Sequence, residues 1–299
     1  MSVVGSIHVN FSQAGINKMS KGTLFVVATP IGNLNDLSPR ARETLEHVDL
    51  VAAEDTRVTG RLLSSFGISA RMMALYDHNE EKKVSELIKA LDSGNSVALV
   101  SDAGTPLISD PGFRLVWAAH DAGISVSPIP GPSSALAALS VSGLASDRFV
   151  FEGFLPPRRA ARKRCLAELK SERRTLLFFE SVHRVGETLV DLVEAFGPSR
   201  QGFIGRELSK LHEQCVAAPL VELAGLITDG DIPQKGEFVV GVAGATPETS
   251  DDIEMSDALL RELAAVLPGK QAVDIVARVT GNSRNRVYRQ MLVLKNEKF

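Results

Sequence analysis

The chain has 299 residues, 44% of them apolar, and a formal net charge of −3, a length that accommodates two ordinary domains and a small third. No stretch reaches the roughly 18 to 20 apolar residues of a membrane span, and the first twenty residues lack the charge and apolar pattern of a signal peptide, so a cytoplasmic protein with no membrane partner is expected. Two cysteines, Cys165 and Cys215, and six scattered histidines provide neither a disulfide framework nor a zinc-ligand pair, and no metal is expected.

Residues 1–21 show no periodicity and read as a flexible N-terminal extension. Organised structure begins with the apolar run Thr23 to Ala28, a buried-strand pattern that stops at Thr29-Pro30-Ile31-Gly32-Asn33. Ser38-Pro39 supplies a helix cap and first turn, with Ala41, Leu45 and Val48 on one face. Leu50 to Ala53 follows as a second strand and ends in Glu54-Asp55-Thr56-Arg57. Next come a helix from Val84 to Leu91, a strand from Val97 to Val100, a helix from Arg114 to Ala122 and a strand from Ile124 to Ile129. This alternation predicts an α/β domain with a doubly wound sheet over residues 22–136. Its strands end in TPIGN, EDTR, SDAGTP and PGPSS. Four loops of small and polar residues are therefore expected along one sheet edge, where open α/β sheets bind ligands.

The longest of these loops lies in VALVSDAGTPLISDPG, residues 97–112. Its glycines permit close backbone approach to a ligand, its prolines stiffen the path, and Asp102 and Asp110 supply acceptors. A surface loop built from Asx-turns has the same composition.

After Gly143 the strand pattern tightens, with strands at Arg148 to Phe154, Thr175 to Glu180, Gly202 to Arg206 and Gly236 to Val242. A second α/β domain with more antiparallel pairing is expected over 137–245. Residues 246–256 read as an acidic linker. Over 257–299, helices at Asp257 to Val266 and Gln271 to Val279, a turn at Thr280-Gly281-Asn282 and a helix capped by Ser283 form a basic, helix-turn-helix-like tail.

Charge is unevenly spread. Arg158 to Arg164 holds five cations in seven residues, and Ile275 to Asn296 has no acid. Phosphate suits both segments, although each also fits a solvated helix face. There is no G-x-G-x-x-G after a strand, no P-loop and no G-x-S-x-G elbow, which argues against nicotinamide enzymes, P-loop NTPases and serine hydrolases.

In order along the chain, ATPIGNL, AAEDTR, DHNE, SDAGTPLISDPG, PGPSSA, FEGFLP, FFESVHR, RELSK and KGE resemble the signatures of the RsmI family. These are class III S-adenosylmethionine-dependent methyltransferases of the tetrapyrrole methylase superfamily. Ser209 stands where Thr is common in that pattern, and Tyr76 where His is common. The resemblance implies two α/β domains with a cofactor cleft between them, and a homodimer. It also implies methylation of the ribose 2'-oxygen of a decoding-site cytidine in 16S rRNA within the 30S subunit, with S-adenosylhomocysteine as the product.

Carried over by resemblance, the cofactor pocket comprises Pro30, Gly32, Asn33, Asp102, Ala103, Gly104, Leu107, Ile108, Ser133, Ser134 and Ala135, closed by Glu180 and Leu208. Positioning should dominate the chemistry, and orientation supplies roughly 7 to 11 kcal/mol in favourable cases. A general base typically adds about 100- to 10,000-fold; the candidates are Asp55, His78, Glu180, His183 and Lys210. Each has an alternative role as a cap, a loop brace or an ion-pair partner, and the base is not singled out.

Arg57, Arg184 and Arg206 are candidate phosphate holders. With aromatics at 5% of residues, RNA recognition is expected through phosphates and shape. Arg158, Arg159, Arg162, Lys163 and Arg164 come first, followed by Arg284, Arg286 and Arg289. The competing readings are a methylase for a tetrapyrrole or other small acceptor and a non-catalytic RNA-binding assembly protein.

Overall fold

Alternation along short apolar strands decides how the first sheet is covered. The structure is a computed structural model that describes residues 21–76, 78–245, 251–280 and 284–296, and the side chains of 251–257, 285, 286 and 293–296 lie outside the description. The chain divides into two units after Ser134, with Ser209–Leu211 grouped with the first.

In the first unit, β1 (Thr23–Val27), β2 (Leu50–Ala53), β3 (Met72–Ala74), β4 (Val97–Val100) and β5 (Ser125–Ile129) form one sheet in the order β3-β2-β4-β1-β5. Every pairing in it is parallel. Leu24, Leu50, Ala52, Val97 and Leu99 point to one face, where Leu87 and Leu91 of α3 (Glu80–Asp92) and Leu115 and Ala119 of α4 (Phe113–Asp121) pack. Their neighbours Val27, Val51, Ala53, Ala98 and Val100 point to the other face, against Ala41 and Leu45 of α1 (Pro39–His47) and Leu63 of α2 (Thr56–Ser65). Both faces are thus apolar, which is why these strands read as continuous rather than alternating runs. The Ser38 hydroxyl accepts from the Ala41 N–H at 3.1 Å, as its place before Pro39 predicts.

In the first unit, α2 and β3 escaped the sequence reading. Helix α2 opens with Thr-Arg-Val-Thr-Gly, all but Arg poor helix formers, and Asp55 starts it by accepting from the Arg57 N–H at 2.8 Å. Strand β3 has only three half-buried residues.

In the second unit, β6 (Phe149–Phe154), β7 (Thr175–Glu180), β8 (Gln201–Arg206), β9 (Gln214–Pro219) and β10 (Phe238–Val242) are ordered β6-β7-β10-β8-β9. Only β6 and β7 run parallel, so the expected antiparallel character is present. Helices α6 (Arg159–Glu168), α7 (Val185–Phe196) and α8 (Leu220–Asp229) bury Leu166, Leu189, Leu192 and Leu223 with Phe178, Ile204 and Val240 of the sheet. On the other face, Ala135 and Leu139 of α5 (Ser134–Val141) pack with Leu177.

Helices α9 (Asp251–Val266), α10 (Gly269–Thr280) and α11 (Arg284–Asn296) make a third small core from Leu260, Ala272, Val273, Val276, Val287 and Met291. Residues 251–256, expected as linker, already belong to α9, while 246–250 and Ser283 lie outside the described residues.

One expectation is overturned in α6. Arg162 is 0% exposed, and its Nε donates to Asp191 of α7 at 2.8 Å while its Nη2 donates to Glu187 at 3.3 Å. It holds α6 to α7 and is not available to RNA phosphate. A buried guanidinium needs such a partner, and breaking a buried pair costs about 3–5 kcal/mol because the other charge is left alone. Arg162→Glu is therefore expected to lower unfolding stability in urea by at least about 3 kcal/mol, whereas the exposed Arg164→Glu stays within about 0.5 kcal/mol of the parent.

Candidate functional site

Parallel neighbours send their C-terminal ends the same way, so the loops after β1, β2, β4 and β5 share one edge of the first sheet. From β1 the chain moves toward β2 with α1 on one face, and from β4 it moves toward β5 with α4 on the opposite face. The loops leaving the adjacent strands β1 and β4 consequently part company there. Such a switch point is where open α/β sheets form a ligand crevice.

The β4 loop is tied to all three of its neighbours. Thr29 and Gly104 exchange backbone hydrogen bonds, with N–H to O distances of 2.8 and 3.1 Å. The Thr105 hydroxyl donates to the Pro132 carbonyl at 3.0 Å. The Asp55 N–H donates to the Asp102 carboxylate at 3.1 Å, and the Asp102 N–H donates to Glu54 at 3.2 Å. Gly104 has φ +79°, and a Cβ there would lie 3.3 Å from Ile31 Cγ2. Leu107 and Ser109 adopt φ +74° and +68° without being glycine, a strain of about 1–3 kcal/mol each. Strain of that size persists only where the surroundings enforce it.

The structure brings most of the expected cofactor residues of the first unit to this edge. Pro30 is buried at its base, Gly32 and Asn33 are exposed, and Asn33 Oδ1 accepts from the Asn35 N–H at 3.0 Å. Asp102, Ala103 and Ile108 are exposed, while Leu107 is half-buried beside the α3–α4 core. Ser133 and Ser134 are half-buried. Ala135 belongs with the second unit, in the Leu139–Leu177 cluster.

The candidate bases separate by environment. Asp55 caps α2 and also takes a two-pronged contact from the Arg57 guanidinium, with Nε to Oδ1 at 3.0 Å and Nη2 to Oδ2 at 2.6 Å. That hydrogen bonding holds its pKa at about 2, below the ordinary 3.8, so the carboxylate is a weak base. Asp102 moves the other way, raised first by removal of water from its carboxyl and opposed by the Asp55 N–H. His78, in the turn before α3, and His183 are both exposed. Lys210 is half-buried in the segment grouped with the first unit.

Glu180 is corrected as a base. It is 2% exposed, and it accepts from the Ser181 N–H at 2.6 Å, the Thr188 hydroxyl at 2.6 Å and Arg184 Nη2 at 2.8 Å. It therefore closes the turn between β7 and α7. Leu208 is buried beside Gly205, where an added Cβ would meet its methyls at 3.2 Å.

Several cations also turn out to be structural. Arg206 is nearly buried and donates to the Lys235 carbonyl at 2.7 Å, the His212 carbonyl at 3.1 Å and Gln214 Oε1 at 2.9 Å. Arg184 is held by Glu180 and by the Leu155 carbonyl at 3.4 Å. Both are corrections, since their guanidinium groups brace the second unit. On α6, Arg159 pairs with Asp191 while staying 57% exposed and Lys163 pairs with Glu194; Arg164, and Arg158 just before the helix, are exposed. Arg57 is 87% exposed beyond its Asp55 contact. Arg284 pairs with Asp274, Arg289 is exposed, and the Arg286 side chain lies outside the described residues.

Sequence reasoning missed Glu54 as the partner of the Asp102 N–H and Asp191 as the counter-ion of α6. Asp191 carries a readable signal, since it falls in phase with the buried Thr188 on the apolar face of α7.

The Asp55 environment has a pH consequence. A carboxylate whose pKa is lowered on folding contributes stability above its ordinary value, and that stability is lost as pH falls through the folded value. In a carbon-13 carboxyl titration Asp55 is expected to titrate near 2, and Arg57→Ala is expected to return it toward 3.8.

Comparisons with known proteins agree with this architecture. Residues 23–224 match the family model for tetrapyrrole (corrin/porphyrin) methylases, and residues 249–295 match the RsmI C-terminal HTH domain. Relatives named ribosomal RNA small subunit methyltransferase I include one from Pseudomonas aeruginosa, 50% identical over 92% of this chain and 98% of its own. Another, from Escherichia coli O157:H7, is 47% identical over 91% of this chain and 96% of its own. Among solved structures, uroporphyrin-III C-methyltransferase from Thermus thermophilus superposes with a TM-score of 0.54 at 22% identity, covering 75% of this chain and 94% of that one. The same enzyme complexed with S-adenosyl homocysteine gives 0.51 at 19% identity, covering 74% and 97%. These structures establish the fold, and the full-length relatives narrow it. The chain is a methyltransferase of the tetrapyrrole methylase family and belongs, by its near-complete match in both parts, to the ribosomal RNA small subunit methyltransferase I group.

Proposed function

We propose that the chain uses S-adenosylmethionine to methylate the ribose 2'-hydroxyl of a decoding-site cytidine in 16S rRNA, releasing S-adenosylhomocysteine. The observation that carries this reading is the β4 loop, exposed at Asp102 and Ala103 and tied to three neighbouring loops at a sheet switch point. Its chemistry fits the cofactor. Gly104 lets the backbone pass close to Ile31, where a side chain would intrude. Asp102 presents a carboxylate suited to hydroxyl groups, with Asp55 holding one of its oxygens.

Bound S-adenosylmethionine supplies a methyl group made electrophilic by the attached sulfonium. The chain's contribution is chiefly orientation. Asp102, Gly104 and Leu107 fix the cofactor side, on a loop whose strained backbone is held at Thr29, Pro132 and Glu54. Asp55 orients Arg57 and caps α2, so the exposed guanidinium of Arg57 remains beside the loops as a contact for RNA phosphate. His78, His183 and Lys210 are the remaining candidates for accepting the hydroxyl proton.

RNA is engaged through phosphates by Arg158 at the start of α6, by Arg164 on α6 and by Arg289 on α11, whose side chains are exposed. The 30S subunit as the acceptor, a homodimer as the working form and a cytoplasmic location complete the proposal. Among the described residues, no helix is long and apolar enough to cross a membrane. The Thermus thermophilus uroporphyrin-III C-methyltransferase structures named above share at most the fold, at 19–22% identity, and they give no support for a small acceptor here.

Two measurements test the reading. Labelled cofactor incubated with small subunits lacking the modification should deposit label on one cytidine ribose, and none on a reduced tetrapyrrole; label entering only the tetrapyrrole would refute the proposal. Arg158→Glu with Arg164→Glu should weaken binding to the subunit at least tenfold and flatten its salt dependence, while calorimetry shows unchanged cofactor affinity.

A further inference from the structure

The last residue of the DHNE motif, Glu80, follows β3 and reaches the far end of the β4 loop. Glu80 is 6% exposed, and its Oε1 accepts from the backbone N–H of Arg114 at 2.9 Å. That N–H lies in the first turn of α4, whose N-cap is Gly112, a residue with no side chain to satisfy it. Glu80 is also the first residue of α3. A single carboxylate thus stands at the positive ends of two helices, where negative charge is favoured. Asn79 secures the turn that delivers it, accepting from the Tyr76 N–H at 2.9 Å and donating to the Ala74 carbonyl at 3.1 Å.

What Glu80 fixes is the exit of the strained segment. Leu107, Ser109 and Gly112 all have positive φ, and Gly112 runs so close to β4 that an added Cβ would lie 2.7 Å from Leu99 Cδ2. The entry of the same segment is fixed by the Thr29–Gly104 hydrogen bonds. Without an anchor at Arg114, the first turn of α4 is free to fray, and Leu107 and Ser109 to relax toward negative φ.

We infer that Glu80 is a positioning residue for cofactor binding, acting from outside the pocket by capping α4 and holding the β4 loop in its strained, binding-competent shape. The inference rests on the cofactor reading of that loop.

The test compares Glu80→Ala, which loses the acceptor, with Glu80→Gln, which keeps an acceptor oxygen and loses the charge. Glu80→Ala is expected to weaken S-adenosylhomocysteine binding in calorimetry by about five- to tenfold, and Glu80→Gln by less than about threefold. In the full-length enzyme, KM for S-adenosylmethionine should rise in Glu80→Ala with kcat changed less. Hydrogen exchange without cofactor should quicken at Leu107 to Leu115 in Glu80→Ala, while the amides of β1 and β4 keep their protection. Faster exchange spread evenly over the first unit would mean a merely structural role and overturn the inference. So would unchanged exchange at Leu107 to Leu115 together with parental affinity in Glu80→Ala. Failure of the parent protein to bind S-adenosylhomocysteine would instead overturn the cofactor reading, and with it the assignment of Glu80.

Discussion

Two backbone hydrogen bonds between Thr29 and Gly104 join the chain where it leaves β1 to the chain where it leaves β4. Those strands are neighbours in a parallel sheet, and their onward connections leave over opposite faces of it. Bridged, they are held together, with the loops after β2 and β5 bound to them through Asp55, Glu54 and Pro132. Gly104 is the natural residue at that point, because its φ of +79° favours glycine and a Cβ there would press on Ile31 at 3.3 Å. Everything proposed for cofactor binding depends on this bridge being in place.

The strained backbone beyond Gly104 makes sense in the same terms. Sequence chemistry alone would place Leu107 and Ser109 at ordinary negative φ, and their positive values show that tertiary ties override local preference. Fixed shape suits the function proposed for this loop. Methyl transfer needs a donor and an acceptor aligned in advance more than it needs reactive side chains. The local chemistry agrees, since Asp55 is engaged by Arg57 and Glu180 is enclosed by Ser181, Thr188 and Arg184.

Much of the fold was legible in the sequence, for identifiable reasons. Strands β2, β4 and β7 are continuous apolar runs bounded by polar turns, and their limits are those expected. The four-loop edge followed from parallel alternation, and the loop residues from Pro30 to Ile108 lie there. Helix α2 is hidden by the poor helix propensity of its first turn, even though Asp55 reads as a candidate cap. Strand β9 was hidden because it is an edge strand with a polar start. Cations were the least legible part. A run such as RRAARKR shows how much charge is present but not which way each residue faces, and one residue in it, Arg162, turned inward to Asp191. Partners 25 to 32 residues away in α7 decide the matter, and no local pattern in α6 announces them.

The edge formed by the four loops of the first unit is proposed to hold the methyl donor. A crystal structure of the protein with S-adenosylhomocysteine tests it most directly. The ligand is predicted to contact Asp102, Gly104 and Leu107, with the Thr29–Gly104 hydrogen bonds intact. Ligand density elsewhere, with these residues untouched, would contradict it.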